Sequence, residues 1–108
     1  MEKKQVDLQI KMKYLEQIVN GTKVEDYRTL SRYNMGLLTH FTKPKTWAIR
    51  HDITHVRFVS GFRAERKFAI CEIEGIFAEQ FVNFIPEGMK PGTKALTIKI
   101  RRVLEHNL

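Results

Sequence analysis

An α+β fold that is mainly β, built as a partly closed barrel of five or six strands with one or two short helices, is predicted by the pattern of this chain of 108 residues. Three observations carry the prediction. Apolar residues alternate with polar ones at the strand period of two in several short runs. A single clear run at helical spacing, Leu15, Ile18 and Val19, stops at Asn20-Gly21. Proline- and glycine-containing clusters separate the remaining segments.

The elements follow in order. Val6, Leu8, Ile10 and Met12 alternate as a first strand, and the helical run comes directly after it. Asn20-Gly21 closes the helix, because glycine adopts the left-handed conformation past a last helical turn without a Cβ clash. Lys23 to Arg28 then reads as a charged strand with Val24, Asp26 and Arg28 on one face and Lys23, Glu25 and Tyr27 on the other. Tyr27 to Phe41 lacks clean alternation and reads as a short helix or ordered loop broken at Gly36. Thr42-Lys43-Pro44-Lys45 reads as a loop, since proline restricts itself and the residue before it.

Trp47-Ala48-Ile49 reads as a short strand and Val56 to Phe62 as a better one, with Val56, Phe58, Ser60 and Phe62 on one face. Residues 63–66 are turn-like and charged. Lys67 to Ile76 is the strongest central strand, with Ala69, Cys71 and Ile73 along one face. Pro86 to Gly92 is a long turn, and Leu96 to Ile100 with Val103-Leu104 forms a closing strand.

Composition points to one globular domain over residues 1–108. Hydrophobic residues make up 43%, with seven Phe, three Tyr and one Trp, which argues against a disordered tail. No run reaches the roughly 18–20 apolar residues that a membrane span needs, and Met1 to Gln5 lacks a signal-peptide apolar region. A cytoplasmic protein with no membrane partner is expected. The single cysteine, Cys71, excludes an intramolecular disulfide and reads as a small core residue and not as a nucleophile.

The net charge of +7 is unevenly placed. Residues 27–70 carry nine basic against two acidic side chains, and residues 71–89 carry four acidic and no basic ones. Tyr27, Tyr33, Phe41, Trp47, Phe58 and Phe62 are interleaved with Arg28, Arg32, Lys43, Lys45, Arg50, Arg57 and Arg63. Cations for phosphate and planar rings for stacking are what a single-stranded nucleic-acid surface requires. The competing reading is that the rings form the core and the cations solubilise the surface.

Gly21 to Arg28 is the most site-like segment, because a glycine turn gathers Lys23, Asp26 and Arg28. Lys23, next to the turn, is positioned to swing toward the Asp26 carboxylate. An ordinary surface ion pair, worth about 0–1 kcal/mol, is the alternative. His51 and His55, at i and i+4, would converge on a metal only from a helix. The β-branched residues around them favour a strand or loop. No phosphate-binding glycine loop or serine nucleophile motif occurs, so neither metal nor cofactor is expected.

Ile10 to Arg28 resembles the opening of an ASCH domain, a member of the PUA-like superfamily, in which a strand and a helix lead into Gly-x-Lys-x-x-Glu-x-Arg. Gly21, Lys23 and Arg28 match that signature, and Asp26 stands where Glu is usual. Phe58-Val59-Ser60-Gly61-Phe62 is similar to the family's central strand, and Leu96 to Leu104 to its closing strand. The resemblance implies a helix packed beside the barrel and a signature segment bordering a cleft.

Its most general functional implication is RNA binding. Lys23 and Arg28 would contact phosphate or a base edge, with Arg57 among the supporting cations. Asp26 would orient them or accept from a base amino group, and Tyr27, Trp47 or Phe62 would offer a stacking plane. The alternative it implies is a small amidohydrolase acting on a modified nucleoside such as acetylcytidine, with Lys23 as the base. There Asp26 occupies the position of a threonine and supplies no hydroxyl, while Glu72 or Glu74 would supply a carboxylate. This departure favours recognition over catalysis.

Overall fold

A computed structural model describes residues 2–43, 46–61 and 66–108. These residues form seven strands and two helices, an α+β fold that is mainly β. Five strands make one sheet in the order β1 (Gln5–Gln9), β5 (His55–Ser60), β6 (Lys67–Gln80), β7 (Lys94–His106), β2 (Glu25–Thr29). Only the β1–β5 pairing is parallel. The remaining two strands, β3 (Thr39–Lys43) and β4 (Thr46–Ile49), pair with each other alone.

The helix α1 (Met12–Val19) lays Leu15 and Ile18 into the core, which their three-residue spacing predicts. Met12 opens this helix instead of closing the first strand. The chain leaves β1 and turns at Lys11, the extended N-cap residue, so Met12 is the first helical residue. The stop at Asn20-Gly21 is as expected. Gly21 has φ +85°, and the backbone N–H groups of Thr22 and Lys23 both donate to the Gln17 carbonyl at 3.0 Å. This pins the start of the charged segment to the end of α1.

The segment from Tyr27 to Phe41 differs from expectation in two ways. The helix α2 (Arg32–Leu38) runs through Gly36 without breaking, capped at its start by Ser31, whose side chain accepts from the Asn34 N–H at 3.2 Å. Thr42 and Lys43 belong to β3 and not to a loop, whereas Pro44 and Lys45 lie outside the described residues. Strand β6 is the central, longest strand and buries Ala69, Cys71 and Ile73 as predicted. It extends beyond Ile76 to Gln80 because β7 pairs with it from Ala69 to Gln80.

Burial pushes the Cys71 thiol up to about 12, which agrees with a core residue and not with a nucleophile. His51 lies in a turn and His55 opens β5, so the two do not share a helix. Neither described helix is long and apolar enough to cross a membrane.

Register shifts in the β6–β7 pairing, between Ile70 and Gly75, leave Leu104 and Arg101 of β7 and Glu74 of β6 as extra residues, and each increases the local twist. The sheet curls into a half-barrel whose two edge strands approach each other. Arg28 of β2 spans the gap, donating from Nη1 to the Gln9 carbonyl at the end of β1 at 2.8 Å.

Candidate functional site

The gap between the sheet edges opens into a cleft of about 270 Å³. Lys23, Asp26, Tyr27 and Arg28 line it from β2 and its approach, Gln9 and Lys11 from the end of β1, and Tyr14 from α1. The turn between β6 and β7 closes the far wall with Phe84, Pro86, Glu87 and Met89.

Asp26 is only 5% exposed and projects toward the core. Its Oδ2 accepts from Arg28 Nε at 2.5 Å, so the carboxylate and the guanidinium form a partly buried pair on one strand face. Strand alternation places them two apart on that face, as the spacing predicts. With Nε on Asp26 and Nη1 on Gln9, Arg28 retains Nη2, for which no hydrogen bond occurs among the described residues. Arg28 as a whole lines the cleft.

Lys23 does not swing onto Asp26. Its ammonium lies 5.2 Å from the Tyr14 ring centre and 5.0 Å from that of Tyr27, cradled by two aromatic rings. Among the described residues it makes no salt bridge, and the Asp26 carboxylate pairs with Arg28 instead. Burial holds its pKa below the ordinary 10.5. Asp26 opposes that shift and Arg28 adds to it.

Tyr27 is braced from the other side. Its hydroxyl donates to Glu25 Oε1 at 3.0 Å, and burial together with this bond pushes its pKa up to about 12. The ring packs edge-on against Phe81 at 5.3 Å and tilted against Phe84 at 5.7 Å. The turn that carries Phe84 is fastened to α1 by Lys13 Nζ and Glu87 Oε1, 2.6 Å apart.

Of the residues singled out from the sequence, Lys23, Asp26, Tyr27 and Arg28 converge on this cleft. Trp47 lines a second groove, with Leu30 and Lys94. Arg57 lies on β5, where Nη1 meets Asp7 Oδ2 at 3.1 Å and the guanidinium covers the Phe68 ring. Phe62 lies outside the described residues. Glu72 and Glu74 line a third cavity, and Glu72 is paired there with Arg101 and Arg102. The carboxylates that do line the Lys23 cleft are Asp26 and Glu87.

Tyr14, Phe84 and Glu87 complete the cleft without a local signal in the sequence beyond one oddity. Phe84-Ile85-Pro86 is an apolar run inside a turn, where polar residues are the norm. Chemically, the cleft offers the ammonium groups of Lys11 and Lys23, the Arg28 guanidinium, three rings, and two carboxylates already paired, Asp26 with Arg28 and Glu87 with Lys13. Among the described residues no cluster of three or more His, Cys, Asp or Glu side chains has metal-binding geometry. The chain matches no protein-family model, no curated protein and no solved structure.

Proposed function

We propose that this chain is an RNA-binding module of the ASCH type within the PUA-like superfamily, acting in the cytoplasm, and that its cleft takes one base or modified nucleoside. The observation that carries the reading is Lys23: a half-buried cation, held between Tyr14 and Tyr27, with no carboxylate partner among the described residues. A desolvated charge without a counter-ion is costly, and a ligand oxygen relieves that cost. Arg28 Nη2 adds a second donor, and Tyr14, Tyr27 and Phe84 offer apolar planes against which a base packs. The cleft volume lies just under the roughly 300–1,000 Å³ of drug-sized sites, which suits a single base and not a longer ligand.

Titration of single-stranded RNA at several salt concentrations tests the reading. Affinity is expected to fall with log[salt] with a slope of about −0.7 per phosphate contacted. A flat response, or RNA-induced NMR shifts that bypass Lys23 and Arg28, would sink it.

A second reading, amidohydrolysis of a modified nucleoside such as acetylcytidine, draws on the lowered pKa of Lys23, which brings the amine closer to serving as a base. Asp26 in place of a hydroxyl residue weighs against it, since its carboxylate is committed to Arg28. Incubation with acetylcytidine is expected to release no cytidine above background. Turnover abolished by Lys23→Ala would replace the first reading with the second.

A further inference from the structure

Lys13 and Lys23 both stand over the Tyr14 ring, with Nζ 4.9 Å and 5.2 Å from its centre, yet the two amines are in opposite states. Lys13 is exposed and hydrogen-bonded to Glu87 at 2.6 Å, which raises its pKa above 10.5. Lys23 is half-buried, lies 5.0 Å from the centre of a second ring, Tyr27, and makes no salt bridge among the described residues. One is a surface ion pair, the other a desolvated amine in a cleft.

We propose that Lys23 captures carbonyl compounds, its amine forming an imine with an aldehyde carried on a nucleotide that enters the cleft. This rests on the reading of the cleft as a site for one base, and adds a covalent activity to it.

Three features of the site select Lys23. An amine attacks a carbonyl only in its neutral form, and burial or a neighbouring cation is how a protein makes that form accessible. Both act here: burial lowers the Lys23 pKa, and the Arg28 guanidinium lowers it further against the opposing pull of Asp26. The carboxylates around it are also engaged elsewhere, Asp26 with Arg28, Glu87 with Lys13 and Glu25 with the Tyr27 hydroxyl. Finally, Lys23 lines a cleft of about 270 Å³, so a ligand the size of one base has access to it.

A nucleotide is the carrier because the rings beside the amine are those against which a base packs. Tyr14 and Tyr27 both line the cleft and both lie against Nζ, so a bound base and the amine share one wall. Lys11 and Arg28, in the same lining, are cations for the phosphate. A formyl group on a base and the ring-opened sugar of an abasic residue offer the same aldehyde chemistry.

The step balances with water as its by-product. The Nζ lone pair forms the N–C bond as the carbonyl π pair moves onto oxygen, and one amine proton passes to that oxygen. The second amine proton leaves with the oxygen as water when the C–O bond breaks and the C=N bond forms. Hydrolysis reverses the sequence, so the site holds the aldehyde without consuming it.

To test this, the full chain near neutral pH is incubated with formyluridine monophosphate, with an RNA octamer carrying one abasic residue, and with propionaldehyde. Sodium cyanoborohydride is present in each case to reduce an imine to a stable secondary amine, and mass spectrometry of the peptides reads which lysine is modified. At least one nucleotide aldehyde is expected to modify Lys23 severalfold faster than Lys13 or Lys11, and severalfold faster than propionaldehyde does. The faster of the two nucleotide probes identifies base or sugar as the carrier. Lys23→Arg, which keeps the charge, is expected to lose the fast modification. Uridine monophosphate is expected to protect Lys23 in the unaltered chain, a measurement that stands even where the variant folds poorly.

Modification of Lys23 no faster than that of Lys13 overturns the inference. So does a preference for Lys23 that propionaldehyde shows equally, or one that uridine monophosphate leaves unprotected, since the carrier is then not a nucleotide. If unmodified RNA still shifts the Lys23 and Arg28 NMR signals in those cases, the reading of the cleft stands alone. If it shifts neither, both fall.

Discussion

Arg28 donates from Nε to Asp26 Oδ2 at 2.5 Å while its Nη1 holds the Gln9 carbonyl at 2.8 Å, so one side chain both neutralises a buried carboxylate and ties the two edges of the half-barrel. The residue that faces the ligand is therefore also part of the closure. Breaking such a pair by removing one partner leaves a buried charge uncompensated, at about 3–5 kcal/mol. For Arg28→Ala the expected cost is about 3 kcal/mol, the lower end, because the Arg28 side chain keeps some exposure. Removing both partners is less damaging than the sum. Urea unfolding of Arg28→Ala, Asp26→Ala and the double variant checks this, and additive losses would mean that the two are not coupled.

Lys23 makes a pH-dependent prediction. Its folded-state pKa lies below the ordinary 10.5, mainly through burial, so folding disfavours its charged form. The unfolded chain binds more protons in the window between the lowered value and 10.5, and stability from this group rises with pH across that window. Lys23→Met is expected to raise stability at neutral pH, with a gain that shrinks toward pH 10.5. Direct NMR titration of the Lys23 side chain provides the second measurement. An amine titrating at or above 10.5 would mean that the aromatic cradle outweighs desolvation.

How much of this was legible in the sequence differs by element. Ala69, Cys71 and Ile73 face one core from a strand paired on both sides, so their alternation stands out. Strand β3 is invisible by the same test, because it pairs only with β4 and leaves Phe41 72% exposed. Gly36 reads as a break, yet α2 passes through it with nothing within 4 Å of where a Cβ would stand. At the site, Gly21 to Arg28 is local and could be read directly. Tyr14, Phe84 and Glu87 reach it only through the placement of β1 and β2 at the two sheet edges and through the β6–β7 turn beside them. That is long-range information. Spacing alone also leaves open whether Asp26 pairs with Lys23 or with Arg28, and the position of Lys23 against Tyr14 depends on where α1 packs.

Cys71 supplies a check on the core. It is fully buried on β6, and burial pushes its thiol up to about 12, so little thiolate forms at neutral pH. Alkylation of the native protein by iodoacetamide at pH 8 is expected to be negligible and to become complete in denaturant. Rapid native modification would show that β6 opens locally or that the sheet is not packed around Cys71.

The turn walling the cleft is predicted to be latched by charge. Lys13 holds Glu87 below its ordinary 4.5 through their hydrogen bond, and Glu87 in turn raises Lys13 above 10.5. The depressed carboxylate contributes above 4.5 and loses its contribution as pH falls through its folded value. The raised lysine contributes below 10.5 and loses it as pH rises through its own. The latch is thus intact between about 4.5 and 10.5. Both side chains are exposed, so Glu87→Gln is expected to leave the melting temperature nearly unchanged. What changes is mobility. The backbone order parameters of Gly88 and Met89 are expected to fall in Glu87→Gln, at pH below 4.5, and at high salt, which screens an exposed pair. Order parameters that stay constant under all three would transfer the hold on this turn to the packing of Phe84 against Tyr27 and Phe81.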